Sequence, residues 1–191
     1  SILNMQMLET GDNAEALEVL SRTKNRLQTI TTCLDSIYNS PAVSLVDLSL
    51  YLERVAQNTT MVTRNSGTKI GLECDCTPLN VALEQALPLG LMVNELIENS
   101  FLHAFVEESA GEGDAGVKLS LDRREDGFAV TVSDNGRGFP RDLDTEKGIG
   151  LTLVDALVRQ IGGSWERHNE NGACVRINVE KVEFDYVPDR A

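Results

Sequence analysis

Histidine is scarce in this chain, with only His103 and His168 among 191 residues. Any chemistry that needs an imidazole has just those two candidates. Positive charge is short as well. Seventeen Lys and Arg against 30 Asp and Glu leave a formal charge of −13, which excludes nucleic acid or an anionic membrane as the main partner, because phosphate backbones call for a basic footprint. Cysteine is limited to Cys33, Cys74, Cys76 and Cys174, too few for a disulfide ladder, and they read as reduced thiols of a cytoplasmic protein. Cys74-Asp75-Cys76 lacks a second Cys or His pair to complete four ligands, so no structural metal site is expected there. No apolar run approaches the ~20 residues of a membrane span, and SILNMQMLETGDN at the start has neither a basic segment nor a cleavage site. No direct membrane contact is expected. Internal repeats and low-complexity tracts are missing too.

What remains is ordinary globular material, 41% hydrophobic and 25% charged, long enough for one or two domains with a real core. The apolar pattern Ile2, Leu3, Met5 and Leu8 is already under way at Ser1 with no cap before it, as in a fragment of a longer helix, and Gly11-Asp12-Asn13 breaks it. From about Ala14 to Tyr38, Leu17, Leu20, Leu27, Ile30, Leu34 and Ile37 recur at spacings of three, four or seven, a narrow stripe of coiled-coil type. A two-helix hairpin cannot bury two such stripes alone, so pairing with a second copy as a four-helix bundle is expected. Asn39-Ser40-Pro41 ends the hairpin, and a third helix is predicted from Leu45 to about Val62.

After Asn65-Ser66-Gly67 the texture turns to short β-like runs, beginning with Lys69–Leu72. The apolar stretch Ala82–Phe105 is too long for a strand and reads as a buried helix. Ala110–Gly116 reads as a flexible loop, Val117–Leu121 and Phe128–Ser133 as adjacent strands. A helix follows from about Gly150 to Ile161, closed by Gly162-Gly163, then strands Ser164–Arg167 and Ala173–Glu180 around a polar turn at Asn169–Gly172. The expected fold class is α+β: a helical region over residues 1–62, then helices layered on one mixed sheet over residues 63–191.

Three segments carry chemistry. In Asn94-Glu95-Leu96-Ile97-Glu98-Asn99, Glu95 and Asn99 are four apart and project from one helix face. A carboxylate on an apolar helix needs a partner; alone, the pair fits a cap or a partnered core pair as readily as a ligand site. Asp134-Asn135-Gly136-Arg137-Gly138 follows a strand, and its glycines let backbone lie close against a flat ligand, although calcium loops and plain hairpins share the pattern. Gly148-Ile149-Gly150-Leu151-Thr152 opens a helix whose free amides and glycines suit phosphates, or is simply a glycine-rich helix start.

In that order over about 60 residues, the three segments resemble the GHKL ATPase superfamily of sensor histidine kinases, gyrase-type topoisomerases, Hsp90-type chaperones and MutL proteins. Leu89–Phe105 and Gly148–Gly163 look like catalytic domains of bacterial histidine kinases of the HWE and related second-class dimerisation type. Lys24-Asn25-Arg26-Leu27 and Ile37-Tyr38-Asn39-Ser40 are similar to that group's second dimerisation helix. The resemblance covers nearly the whole chain and implies a two-layer α/β sandwich of the Bergerat ATP-binding type behind a dimerisation hairpin. It implies ATP and Mg²⁺ as ligands, a homodimer, and a response-regulator receiver domain as partner. By the same resemblance Glu95 polarises the attacking nucleophile, Asn99 binds Mg²⁺, Asp134 accepts the adenine amino group, and Gly136 and Gly138 shape the adenine wall. Gly148, Gly150, Leu151 and Thr152 contact phosphates, and Phe139–Lys147 is a short lid. Arg137, Arg141 and Lys147 are counter-charges there or solvated surface charge, and Asn94 is a secondary candidate that either faces the ligand or faces the sheet.

The chain departs from the family twice. Leu102 stands where relatives often carry Lys or Arg, with His103 as a partial substitute or an ordinary helix-end histidine. The phosphoacceptor of such kinases lies in an HRxxN-like motif upstream of the segment that Ile2-Leu3-Asn4-Met5-Gln6 matches, and neither His103 nor His168 stands in its place. Nucleotide binding with little autophosphorylation is therefore expected. A dimeric scaffold or pseudokinase that docks a response regulator without using ATP is the alternative, and an anti-sigma serine kinase of the same superfamily leaves residues 1–62 without a use.

Overall fold

The computed structural model describes residues 14–38, 45–63, 70–105, 115–140 and 149–180. The predicted helix over residues 1–8, the hairpin end at residues 39–41 and most of the predicted loop at residues 110–116 lie outside them.

Helix α1 spans Ala14–Tyr38, as its stripe predicts. The helix predicted from Leu45 starts three residues later. Leu45–Asp47 is instead strand β1, antiparallel to β3 (Asn80–Ala82), and helix α2 runs Leu48–Thr63. The Asp47 side chain sets this boundary: its Oδ1 accepts from the Leu50 amide at 3.0 Å and from Ser49 Oγ at 2.7 Å, which caps the first turn of α2.

The main sheet has strands β2 (Gly71–Cys76), β4 (Gly116–Arg124), β5 (Gly127–Asp134), β6 (Ser164–Asn169) and β7 (Ala173–Glu180). Their order is β2-β4-β5-β7-β6, with β2 parallel to β4 and every other pair antiparallel. The mixed sheet agrees with the expected fold class. In β4 the alternation puts Val117, Leu119 and Leu121 into the core and turns Lys118 and Asp122 outward, the signature of a half-buried strand.

Helix α3 (Leu83–Asn99) is apolar on most of its circumference because the sheet lies on one side and α1 and α2 on the other. It passes directly into a π-type turn, Ser100–Ala104. Helix α4 (Ile149–Gln160) completes the helical layer. Met92, Val93 and Ile97 of α3, Val154 and Val158 of α4, and Phe128, Val130 and Ile177 of the sheet belong to one continuous apolar cluster. The register of β5 against β4 and β7 delivers Asp134 to the strand end nearest the π-turn, which fixes where a site can form.

Candidate functional site

Asp134 is buried at the end of β5. Its Oδ1 accepts the amides of Gly136 at 3.0 Å and Ala173 at 3.1 Å, and its Oδ2 accepts from Ser100 Oγ at 2.9 Å. The carboxylate therefore closes its own turn, ties β5 to β7 and reaches the π-turn. Gly136 packs directly on Ala104, whose carbonyl accepts the Arg137 amide at 3.1 Å, so a Cβ at Gly136 would collide with that backbone. Gly138 adopts φ +74°, a conformation glycine takes without penalty, and lies against Asn169. Asn169 pins the next residue from both sides, its Oδ1 accepting the Phe139 amide at 2.8 Å and its Nδ2 donating to the Phe139 carbonyl at 3.1 Å. The Arg167 guanidinium stacks over the Phe139 ring, 5.7 Å from its centroid.

Asn99, half-buried, precedes Ser100 in the chain and faces the start of α4. A Cβ on Gly150 would stand 3.0 Å from Asn99 Nδ2, 3.4 Å from Asn99 Oδ1 and 3.4 Å from Glu95 Oε2. Glycine keeps a side chain out of this cradle beside the first-turn amides of α4, which an α-helix leaves without partners of its own, an environment that favours anions. Leu151 is buried and Thr152 exposed. Consecutive residues at one helix end thus face two parts of the site, Asn99 lying beside Gly150 at the start of α4 and Ser100 bonding the Asp134 carboxylate. The donor chemistry also fits Mg²⁺, a hard ion that takes one or two protein oxygens and completes its shell with water and phosphate; among the described residues no cluster of three or more His, Cys, Asp or Glu offers a full protein cage.

Glu95 is 1% exposed and is not left unpaired. Arg26 of α1 grips it bidentately, Nε to Oε1 at 2.8 Å and Nη2 to Oε2 at 3.0 Å. This bond, ahead of the cost of burial, raises the Arg26 pKa. One turn on, Glu98 accepts from Asn25 Nδ2 at 3.3 Å, while its Oε2 is buried without a partner. Burial, then the neighbouring Glu95 charge, push the Glu98 pKa up. Asn94 is buried and packs against α2 rather than the sheet, accepting from Thr59 Oγ1 at 2.8 Å. His103 is exposed on the π-turn, and His168 lies in β6, 3.3 Å from Glu170. Arg137 is exposed. Arg141, Lys147 and Gly148 lie outside the described residues. Sequence reasoning did not assign roles to Arg26, Ser100 and Asn169; the charge of Glu95 on an apolar helix signalled that some cation must come, without saying from where.

An acidic strand end, a glycine turn and the start of α4 gather at one end of α3 in an α/β sandwich. Residues 84–183 match the family described as histidine kinase-, DNA gyrase B- and HSP90-like ATPase, and residues 1–63 match a second family described as histidine kinase. The chain belongs to the first of these families and carries the histidine kinase region of the second ahead of it. It is 28% identical over 183 residues to blue-light-activated histidine kinase 2 of Erythrobacter litoralis, covering 94% of this chain and 51% of that protein. It is 26% identical over 196 residues to the sensor protein CitS of Halalkalibacterium halodurans, covering 92% of this chain and 34% of that protein. The chain therefore spans about half the length of the first of these curated relatives and about a third of the second. The fold superposes on the histidine kinase domain of an Erythrobacter litoralis blue-light activated kinase with a TM-score of 0.72 at 23% identity, over 94% of this chain and 82% of that one. The ATP-binding domain of PrrB from Mycobacterium tuberculosis gives 0.57 at 20% identity, over 73% and 98% respectively.

Proposed function

We propose that this chain is the ATP-binding catalytic core of a two-component sensor histidine kinase, with its domain boundary near residues 62–63. The observation that carries the reading is the junction at the end of α3, where Ser100 meets the Asp134 carboxylate while Asn99 meets the Gly150 cradle. Asp134 accepts the adenine amino group, and Gly136 and Gly138 form the wall beside the ring. Phosphates lie against the amides of Gly150, Leu151 and Thr152, with Gly148, Lys147 and His103 as further candidates around them. Asn99 would hold Mg²⁺ through its amide oxygen, and the ion would supply neutralisation of phosphate charge.

Glu95 polarises an incoming histidine nitrogen. As that nitrogen attacks the γ-phosphorus, the bond to the β,γ-bridging oxygen breaks and ADP leaves with the electron pair. The site's contribution is mainly position and charge. The phosphohistidine then gives its phosphoryl group to an aspartate of a response-regulator receiver domain. Neither His103, on the turn that closes the site itself, nor His168, in a late strand, is placed on a helical hairpin as the nucleophile. The helical region pairs with a second copy through α1, and the four free thiols fit a cytoplasmic chain. No described helix is long and apolar enough to cross a membrane.

Asp134→Asn tests the reading. The variant keeps an Oδ1 acceptor for Gly136 and Ala173, so its melting temperature stays near that of the wild type. Calorimetric affinity for Mg·ADP falls about 10–100-fold, the range for losing a hydrogen bond to a charged group. Unchanged affinity contradicts Asp134 as the adenine acceptor, and a wild type that binds no nucleotide favours the scaffold alternative.

A further inference from the structure

Arg26 stands 69 residues from Glu95 in sequence and on a different structural unit. Its Nη2 is 3.0 Å from Glu95 Oε2, and that same oxygen is 3.4 Å from the space that glycine leaves open at position 150. Glu95 Oε2 therefore stands between the guanidinium and the start of α4. Only Nε and Nη2 are engaged by Glu95, and the Arg26 side chain is 32% exposed, so the fork keeps donors to spare. Glu95 is a buried carboxylate at this end of the site. A polyanionic ligand cannot approach it unless its charge is offset, and Arg26 is the cation bonded to it.

We infer that Arg26 is a phosphate-end residue of the nucleotide site, contributed by α1, which holds Glu95 in position and offsets its charge so that the terminal phosphate of a nucleoside triphosphate is accepted. The inference rests on the nucleotide reading above and deepens it. A guanidinium suits the role because it stays charged and holds a carboxylate with one edge while presenting N–H groups along another. It also makes the site incomplete without α1: the ATP-binding layer alone carries the adenine end, and docking of α1 supplies charge balance at the phosphate end. Movement of α1 relative to α3 would then change triphosphate binding while leaving diphosphate binding nearly untouched.

The test uses the chain as it stands, titrated calorimetrically with Mg·ADP and with the Mg complex of the β,γ-imido analogue of ATP. Arg26→Ala is expected to weaken the triphosphate analogue about tenfold and Mg·ADP by less than about threefold, with Arg26→Lys in between. Because removing Arg26 leaves Glu95 buried and unpaired, Glu95→Gln is compared with the double variant Arg26→Met/Glu95→Gln. In that pair no buried charge is orphaned, and the same selective loss of triphosphate binding is expected if the guanidinium faces the phosphate. Equal losses for both ligands, no loss, or tighter triphosphate binding without Arg26 would overturn the inference while leaving the nucleotide reading intact. A wild-type chain that binds neither ligand would overturn both.

Discussion

At Glu98 the fold favours a protonated carboxyl. Burial and the adjacent Glu95 charge raise its pKa, while Arg22, the Asn25 hydrogen bond and Arg26 pull the other way. A carboxyl whose folded pKa is raised binds more protons folded than unfolded, so it stabilises most below the ordinary carboxylate pKa of about 4.3 and loses that contribution as pH rises through the folded value. Glu98→Gln, which stays neutral, should therefore gain in melting temperature relative to the wild type as pH is raised above the ordinary carboxylate pKa of about 4.3. Thermal melts across that series check it; a difference that does not change with pH contradicts the assignment. At this scale the sequence was informative where a side chain broke its surroundings. Glu95 announced itself as a charge on an apolar helix, and Asp134 as an acid at a strand end before two glycines. Asn94 and Asn99 are the same residue type five positions apart, and at about 100° per residue they point in different directions; which of the two meets the site depends on where α2 packs. Arg26 was illegible because a cation on a surface helix reads as solvated until its partner, 69 positions away, is folded against it.

Among the elements, α3 owes its position to one close contact. Gly90 sits directly under the Tyr51 hydroxyl of α2, where a Cβ would collide with the ring, and Tyr51 in turn donates to the Thr29 carbonyl of α1 at 3.3 Å. Gly90→Ala should cost about 1–3 kcal/mol, the range for overpacking a filled interior, read as a lower midpoint in denaturant unfolding. An unchanged midpoint would mean that α2 and α3 are not in contact there. Long elements were readable from their periods: α1 was predicted to its observed ends, and β7 likewise. Strand β1 was not, because three residues have no period, and only its ladder with Asn80–Ala82 and the Asp47 cap separate it from α2. The π-turn at Ser100–Ala104 was hidden for a similar reason, since its composition continues that of α3. It is nonetheless what brings Ser100 and Ala104 against the Asp134–Arg137 turn.

For the whole molecule, α1 presents two different faces. One face packs on α2 and α3 through Asn25, Arg26, Thr29 and Thr32. The other leaves Leu27 and Leu34, seven residues apart, 49% and 46% exposed, a seam of the spacing that pairs helices. Leu27→Glu/Leu34→Glu should convert a dimer to a monomer in sedimentation while Mg·ADP binding persists; an unchanged mass contradicts pairing through this seam. The shortage of positive charge also takes on a narrower meaning. A chain of −13 argues against nucleic acid but not against a nucleotide, because in the proposed site the amides of α4, the oxygen of Asn99 with its ion, and Arg26 would do the neutralising locally. The central claim is that Asp134 reads adenine. Its most direct test is a paired calorimetric titration of the wild-type chain with Mg·ADP and Mg·GDP. Adenine presents an amino donor where guanine presents a carbonyl acceptor, and a buried carboxylate facing the latter is left unpaired. Binding of Mg·ADP with at least about 100-fold weaker binding of Mg·GDP is the predicted result, and equal affinity for the two would contradict it.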